Sequence, residues 1–268
     1  MLAAIKKNKI LSEKVLKEKE EMLSATPRID IERLKFLLEV YREYEGQPPI
    51  IRVSRLFNKL CSEKGIFIDK NPIAGTLTKY KYGSYPVPEF GCRWMKRVDK
   101  FSLQRGGADI TDEEKEWINK AADYWKDTNI FNRTREIIQQ SLGVDIALLG
   151  KCGFGTEFTP GGFMDGVPDY GMVLTRGLNG LIEEADEKKA NLDTGDSDDL
   201  KKWYFYEGAV LCLKGIIELS QRYASLATEM AEKESNHERK AELEKIAETC
   251  KWVPANPARD FREALQTT

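Results

Sequence analysis

The chain has 268 residues, 41% hydrophobic and 32% charged, with a formal net charge of −2. No apolar run approaches the roughly 20 residues that span a bilayer, and no net positive field would draw nucleic acid or an anionic membrane. Five scattered cysteines (Cys61, Cys92, Cys152, Cys212, Cys250) lack zinc-ligand spacing, and His237 is the single histidine. That pattern predicts a reduced, cytoplasmic protein and argues against Ser-His-Asp or Cys-His catalysis.

Residues 1–25 read as a lysine-rich helical arm, exposed or docked on a partner, with i,i+4 charge pairs and no continuous apolar core of a secretion signal. Residues 26–268 are expected to form one further unit. Asp30 is the expected cap of a helix with Leu34, Leu37, Leu38 and Tyr41 on one face. Gly46-Gln47-Pro48-Pro49 ends it. Ile50–Glu63 should be a second helix with Ile51, Val53, Leu56, Phe57 and Leu60 apolar, ended by Gly65. Ile66–Leu77 reads as short extended structure and turns. Residues 79–106 mix Tyr80, Tyr82, Tyr85, Phe90 and Trp94 with cations, Gly and Pro. Such a segment is either a loop clamped by its aromatics or the lining of a substrate cleft or subunit contact.

Thr111 opens a helix with Glu114 at capping-box spacing and Trp117, Ile118, Ala121 and Trp125 facing inward. Phe131–Leu142 is a further helix, ended by Gly143. The stretch from Gly150 to Gly166 is glycine-rich but lacks the Gly-Lys-Ser/Thr of a phosphate loop. Asp165 stands between these turns and a helix starting near Pro168, with Asp169 in its acidic first turn. Residues 183–201 read as a solvated helix end and loop. Asp193, Asp196, Asp198 and Asp199 there lack calcium-loop spacing.

From Asp199 a long helix should bury Phe205, Ala209, Leu213, Ile216, Ile217, Ser220, Tyr223, Ala224 and Ala227. Trp203-Tyr204-Phe205-Tyr206 reads as helical core, and Arg222-Tyr223 as a packing and hydrogen-bonding pair. A helix over Ser235–Cys250 follows, broken by Val253-Pro254-Ala255-Asn256-Pro257. Asp260 begins a last helix, with Phe261, Ala264 and Leu265 as an apolar stripe. Only about two turns are given to it, which predicts the front part of a longer protein. The expected fold class is mostly α with a few short strands.

Five runs stand together in order: RLKFLLEVYREYEGQPPIIRVSRLFNKLC, IFIDKNPIAGTLT, VPDYGMVLTRGLNGLI, WYFYEGAVLCLKGIIELSQRYASLATEMAEKE and RKAELEKIAETCKWVPANPARDFREALQ. The combination resembles the N-terminal region of the glycyl radical enzymes, the pyruvate formate-lyase superfamily. TKYKYGSYPVPEFGCRWM is more similar to the branch acting on aromatic compounds, the arylacetate decarboxylases and benzylsuccinate synthase-like enzymes. The resemblance implies a ten-stranded α/β barrel of which this chain supplies only an N-terminal helical part. It implies a glycyl radical, installed by an iron–sulfur, S-adenosylmethionine-dependent activase, which generates a thiyl at an active cysteine. It also implies a small aromatic or carboxylate substrate, and a homodimer or small companion subunits as partners.

The family's Gly-Cys-x-Glu and Arg-Val-x-Gly-Tyr motifs are expected beyond Thr268, so no catalytic residue is assigned within this chain. Cys61-Ser62-Glu63 lacks the glycine, Gly91-Cys92 has Trp94 in place of Glu, and Lys100 stands where Arg97-Val98-Asp99 would need the radical glycine. The resemblance carries one site residue over. Members often read Gly-His-x-x-Pro-Asp-Tyr, and the run Met164–Tyr170 puts Asp165 at the substrate-contacting histidine place. The absent histidine argues against glycerol or diol dehydration. As a structural alternative, Asp165 caps the helix or its turn. The expected activity is C–C bond cleavage or formation on an aromatic substrate. The alternatives are a formate acetyltransferase-like enzyme or C–O lyase of the same family, and a non-catalytic helical scaffold. The isolated chain is expected to be poorly soluble, because its helices would expose faces meant for barrel strands.

Overall fold

The computed structural model describes residues 12–98, 110–144, 148 and 168–268. Its elements, in order, are α1 (Glu13–Ser24), β1 (Arg28–Ile29), α2 (Glu32–Glu43), α3 (Pro49–Glu63), β2 (Gly83–Ser84), a 3-10 turn (Met95–Arg97), α4 (Asp112–Trp125), α5 (Ile130–Leu142), α6 (Tyr170–Ala190), α7 (Ser197–Lys233), α8 (His237–Trp252) and α9 (Phe261–Thr267). Helix dominates. Among the described residues β1 and β2 form one parallel pair, Arg28 opposite Gly83 and Ile29 opposite Ser84, and no barrel closes.

Helix α7 is the spine. Its 37 residues span about 55 Å at 1.5 Å per residue. Its N-terminal half lies against α3 and its C-terminal half against α8. The approach to α3 is close because glycines face it. A β-carbon on Gly208 would sit 2.7 Å from Ser54 Oγ, and one on Gly215 would sit 3.1 Å from Asn58 Cα. Asn58 Nδ2 donates to the Leu211 carbonyl at 3.0 Å across the same seam. Farther along, Tyr223, Ala224, Ala227 and Ala231 pack with Leu243, Ile246, Ala247 and Cys250 of α8 and with Ile68 and Ala74. Small residues on α7 let the larger side chains of α8 interdigitate.

Two further clusters build the N-terminal end. Ile29, Ile31, Leu34 and Leu38 pack with Cys92, Met95, Val98, Ile118, Ala121 and Ala122. Leu37, Val40, Tyr41, Leu56 and Trp125 form the other, with the Tyr41 and Trp125 rings edge to face at 5.1 Å. Caps read from the sequence are present. Thr111 and Glu114 form the reciprocal capping box of α4, and Gly143 ends α5 at φ 65°. Helix α1 buries none of its residues, and the Lys81–Glu21 ion pair at 2.8 Å ties it to the strand region.

The structure departs from the periodicity in several places. Phe205, expected in the buried face of α7, is 56% exposed, because the face meeting α3 carries Gly208 and Gly215 instead. Val53 and Phe57 of α3 are likewise exposed, while Ile51, Ser54, Leu56 and Cys61 are buried. The Trp203–Tyr206 cluster is partly buried as two edge-to-face pairs rather than core.

In α9 the expected stripe is turned outward: Phe261 is 81% exposed and Glu263 only 2%. The polar face does the docking. Glu263 accepts from the Arg259 backbone N–H at 2.7 Å and from its Nε at 2.9 Å. Gln266 exchanges two hydrogen bonds with the Ala74 backbone, at 2.9 and 2.7 Å. The two Gln266–Ala74 bonds set the helix's rotation against the rest of the fold, the Arg259 bonds hold Glu263 inward at its start, and two apolar side chains do not overcome them.

Candidate functional site

The irregular segment after Leu77 is held at many points. Asp30, 4% exposed, accepts from the backbone N–H groups of Glu32 and Lys79, both at 2.9 Å. Glu32 accepts from Gly65 N–H at 2.7 Å and pairs with Lys79 at 3.3 Å. Arg33 forks onto Glu89, at 3.0 and 2.5 Å, and lies over the Tyr85 ring. Residues 79–98 are therefore a clamped loop, which is the structural reading of the segment. Residues 99–106 lie outside the described residues.

The same clamp walls a cleft of about 350 Å³ between α2, α3, α7 and the loop. Val53, Leu56, Phe57, Leu60, Leu77, Ile216 and Leu219 make it mostly apolar, and Lys64 supplies a cation. Lys64 Nζ donates to the Thr76 carbonyl at 2.5 Å, and burial holds its ammonium below the usual lysine range. Cys61 also borders the cleft, but burial pushes its thiol up to about 11, so it is protonated and unreactive at neutral pH. Cys250 is raised to about 11 and Cys92 and Cys212 are raised, all chiefly by burial. Cys152 lies outside the described residues. The cleft has a mostly apolar lining edged by the cations Arg33 and Lys64 and the carboxylates Asp30 and Glu32, with Cys61 as its one thiol, held protonated by burial.

The second location is the start of α6. Asp165, the one substrate-binding candidate, lies outside the described residues, as do Met164, Gly166 and Val167. Its neighbours Pro168, Asp169 and Tyr170 are described, and all three are exposed. Asp169 is the N-cap itself: its side chain accepts from Met172 N–H at 2.9 Å. That places Pro168 just outside the helix, whose first residue is Tyr170, two positions later than the sequence suggested.

Farther along, α6 is not one straight helix. It breaks at Gly177, where φ is 66° and ψ 168°, and continues to Ala190. The break meets the segment after α8. Leu178 and Asn179 N–H donate to the Pro254 and Ala255 carbonyls at 2.9 and 3.0 Å, and Ala258 N–H donates to the Leu174 carbonyl at 3.0 Å. The sequence carried a signal for this, a glycine inside a helical pattern. Its partner, Val253–Pro257, read only as a helix terminator.

The remaining candidates take structural roles. Arg222 donates to the Cys61 and Lys64 carbonyls, and the Tyr223 hydroxyl lies 2.7 Å from Thr76 Oγ1, so this pair packs and hydrogen-bonds as expected. Asp196 caps α7 by accepting from Asp198 and Asp199 N–H, and Asp193 accepts from Gly195 N–H. No group of three potential metal ligands occurs among the described residues. No helix among them is long and apolar enough to cross a membrane.

With this geometry in place, comparison with known proteins is specific. The family model described as "PFL-like: Pyruvate formate lyase-like" matches residues 5–268. Isethionate sulfite-lyase of Oleidesulfovibrio alaskensis is 33% identical over 257 residues, 90% of this chain and 30% of the relative. Indoleacetate decarboxylase of Tractidigestivibacter scatoligenes is 26% identical over 280 residues, 92% of this chain and 32% of the relative. A solved Roseburia inulinivorans structure, described for 1,2-propanediol dehydration, superposes with a TM-score of 0.84 at 29% identity, over 96% of this chain and 32% of its own. The chain thus spans about a third of the length of these relatives. The aromatic branch suggested by the sequence does not stand out among them, since the sulfite-lyase is the more similar.

Proposed function

The chain belongs to the pyruvate formate lyase-like family, and on that premise we propose that it is the N-terminal third of a glycyl radical enzyme that expels a small leaving group, sulfite or water, from a small polar substrate. The observation that carries the reading is the 33% identity to a sulfite-lyase over 90% of the chain, against 26% for the aromatic decarboxylase. Asp165 is proposed as a substrate-pocket residue, on the resemblance of Met164–Tyr170 to the family run. An aspartate there would accept a hydrogen bond from a substrate hydroxyl or hold a nearby cation.

The residues described here do not fit the radical chemistry itself. Cys61 is a helical, buried thiol. The Cys92 sulfur is buried and accepts from Asn129 Nδ2 at 3.6 Å, with Trp94 two residues on. The radical glycine, the thiyl cysteine and docking of the activase are accordingly proposed for the portion of such an enzyme that this chain does not span. Here the chain's own contribution is scaffold and one wall of the site: the α2–α3–α7 framework, and the broken helix that follows Asp165.

A second reading is aromatic decarboxylation, favoured by the indoleacetate decarboxylase match. The two separate in one experiment. The full-length protein, activated anaerobically until the glycyl doublet appears in its electron paramagnetic resonance spectrum, is offered isethionate, 1,2-propanediol and indoleacetate in turn. Release of sulfite or an aldehyde supports elimination. Carbon dioxide from indoleacetate alone supports the second reading. Absence of a glycyl doublet would remove both.

A further inference from the structure

At the break in α6 one backbone closely constrains another. A helix running straight through Gly177 would bond Leu178 N–H to the Leu174 carbonyl and Asn179 N–H to that of Thr175. Both donors instead go to Pro254 and Ala255, and Leu174 takes its proton from Ala258. Two rungs of the ladder are exchanged for three bonds to another segment. The fit admits no side chain: a β-carbon on Gly177 would lie 2.6 Å from the Ala255 carbonyl oxygen and 2.6 Å from the Asn256 carbonyl carbon. Arg176 braces the outside of the bend, donating to the Gly180 carbonyl at 2.9 Å and pairing with Glu184 at 2.5 Å.

The segment that receives α6 is itself fixed. Ser220 Oγ on α7 donates to the Cys250 and Val253 carbonyls at 2.9 and 2.8 Å. Trp252 Nε1 donates to the Pro257 carbonyl at 2.8 Å, and Asn256 Nδ2 to the Trp252 carbonyl at 2.9 Å. The bend is therefore referenced to the α7–α8 core. Beyond it, in the first half of α6, Tyr170 is 46% and Met172 40% exposed, and only Val173 and Leu174 of this half are partly buried, so among the described residues the bend is the main contact that sets its direction.

We propose that Gly177 and the segment Pro254–Ala258 are positioning residues, forming a fixed elbow that aims the first turn of α6, Asp169–Met172, at the substrate site. This rests on the reading that the run entering α6 belongs to that site. The arm Tyr170–Arg176 is about 10 Å long, so a swing of about 20° at the elbow displaces its tip by about 3.5 Å. A misplacement of about 1 Å already costs on the order of 100-fold in rate.

The test measures direction and turnover separately. Spin labels carried on keto amino acids replace Met172 on α6 and Glu229 on α7, leaving the cysteines untouched, and their separation is read by pulsed dipolar spectroscopy in the full-length protein before activation. The native chain should give one narrow distance distribution. Gly177→Ala should shift it by several ångströms, toward the straight helix that alanine favours. Trp252→Phe, which removes the Trp252–Pro257 bond while leaving an aromatic ring beneath Arg259, should broaden it. Unchanged distributions in both variants would overturn the elbow. In the activated full-length enzyme, kcat per glycyl radical should fall at least tenfold for Gly177→Ala, a normalisation that ignores any misfolded fraction. Shifted distances with unchanged turnover per radical would overturn the positioning role. Failure of the functional reading shows separately, as an unmutated enzyme that releases neither sulfite nor aldehyde.

Discussion

The guanidinium of Arg222 and the carbonyl of Lys64 meet at 2.6 Å, and the same guanidinium donates to the Cys61 carbonyl at 2.7 Å. These are carbonyls from the end of α3, which have no partner within the helix and carry the negative end of its dipole. Charge-assisted bonds of this kind contribute about 1.5–3 kcal/mol each. Arg222→Met should therefore destabilise the chain by about 3 kcal/mol, seen as a lower urea midpoint at unchanged slope. Arg222→Lys should recover less than half of that, because an ammonium cannot fork to two carbonyls.

Gly215 on α7 and Gly180 on α6 are two different kinds of helical glycine. At Gly215 a β-carbon would press on the Asn58 backbone at 3.1 Å and on Cys61 Cβ at 3.3 Å, whereas at Gly180 it would make ordinary contact with Arg176 Cβ at 3.5 Å. Overpacking costs about 1–3 kcal/mol, and alanine gains about 1 kcal/mol over glycine in a helix. Gly215→Ala should be neutral to destabilising by about 2 kcal/mol, and Gly180→Ala stabilising by up to about 1 kcal/mol. Thermal midpoints moving together in the same direction would contradict the α3–α7 contact.

Burial raises both the Cys61 and Cys250 thiols to about 11. In the unfolded chain a thiol ionises near about 8.5. Between those values the native state keeps protons that the unfolded state has lost, so stability falls as pH rises. The contribution is whole below about pH 8.5 and disappears progressively toward pH 11. Urea midpoints from pH 7.5 to 10 should decline less steeply in the Cys61→Ala/Cys250→Ala double variant than in the native chain. Equal slopes would show that these thiols are not held protonated.

The capping box of α4 sets a smaller effect. Thr111 Oγ1 accepts from Glu114 N–H at 3.2 Å and Glu114 returns a bond to Thr111 N–H at 2.7 Å. Thr111→Ala should cost about 1 kcal/mol and Thr111→Gly only a few tenths less favourable than native. The order of the two denaturation midpoints checks it.

Around the cleft, Leu77 is 68% exposed, Val53 52% and Phe57 38%. All three line one cavity, so they form a continuous apolar surface. The chain should bind anilinonaphthalene sulfonate while remaining cooperatively folded. Val53→Ser with Leu77→Ser should lower the dye fluorescence at least twofold. Fluorescence unchanged in that variant would place the apolar surface elsewhere.

Periodicity, capping residues and ordered motifs were enough to place most helices, the family and the ends at Thr111 and Gly143, because these depend on neighbours within a turn of the chain, whereas the cap expected at Asp30 falls instead on Ile31. Rotation and direction were not local. Phe261 points outward because Gln266 finds a polar partner across the fold at Ala74, 192 positions away, while Glu263 is turned inward against Arg259 four residues before it. Phe205 is exposed because the α3 contact selects the glycine face of α7. The candidate site was legible only as a run of residues entering α6. The bend that aims this helix arises where Gly177 meets the Ala255 carbonyl, and hydrogen bonds between segments far apart in sequence leave no periodic trace in either one. The sequence by itself determined which segments coil and what family they compose. Only the tertiary structure decided which face each helix buries and where α6 turns, because those choices are made by the partners it packs and bonds against.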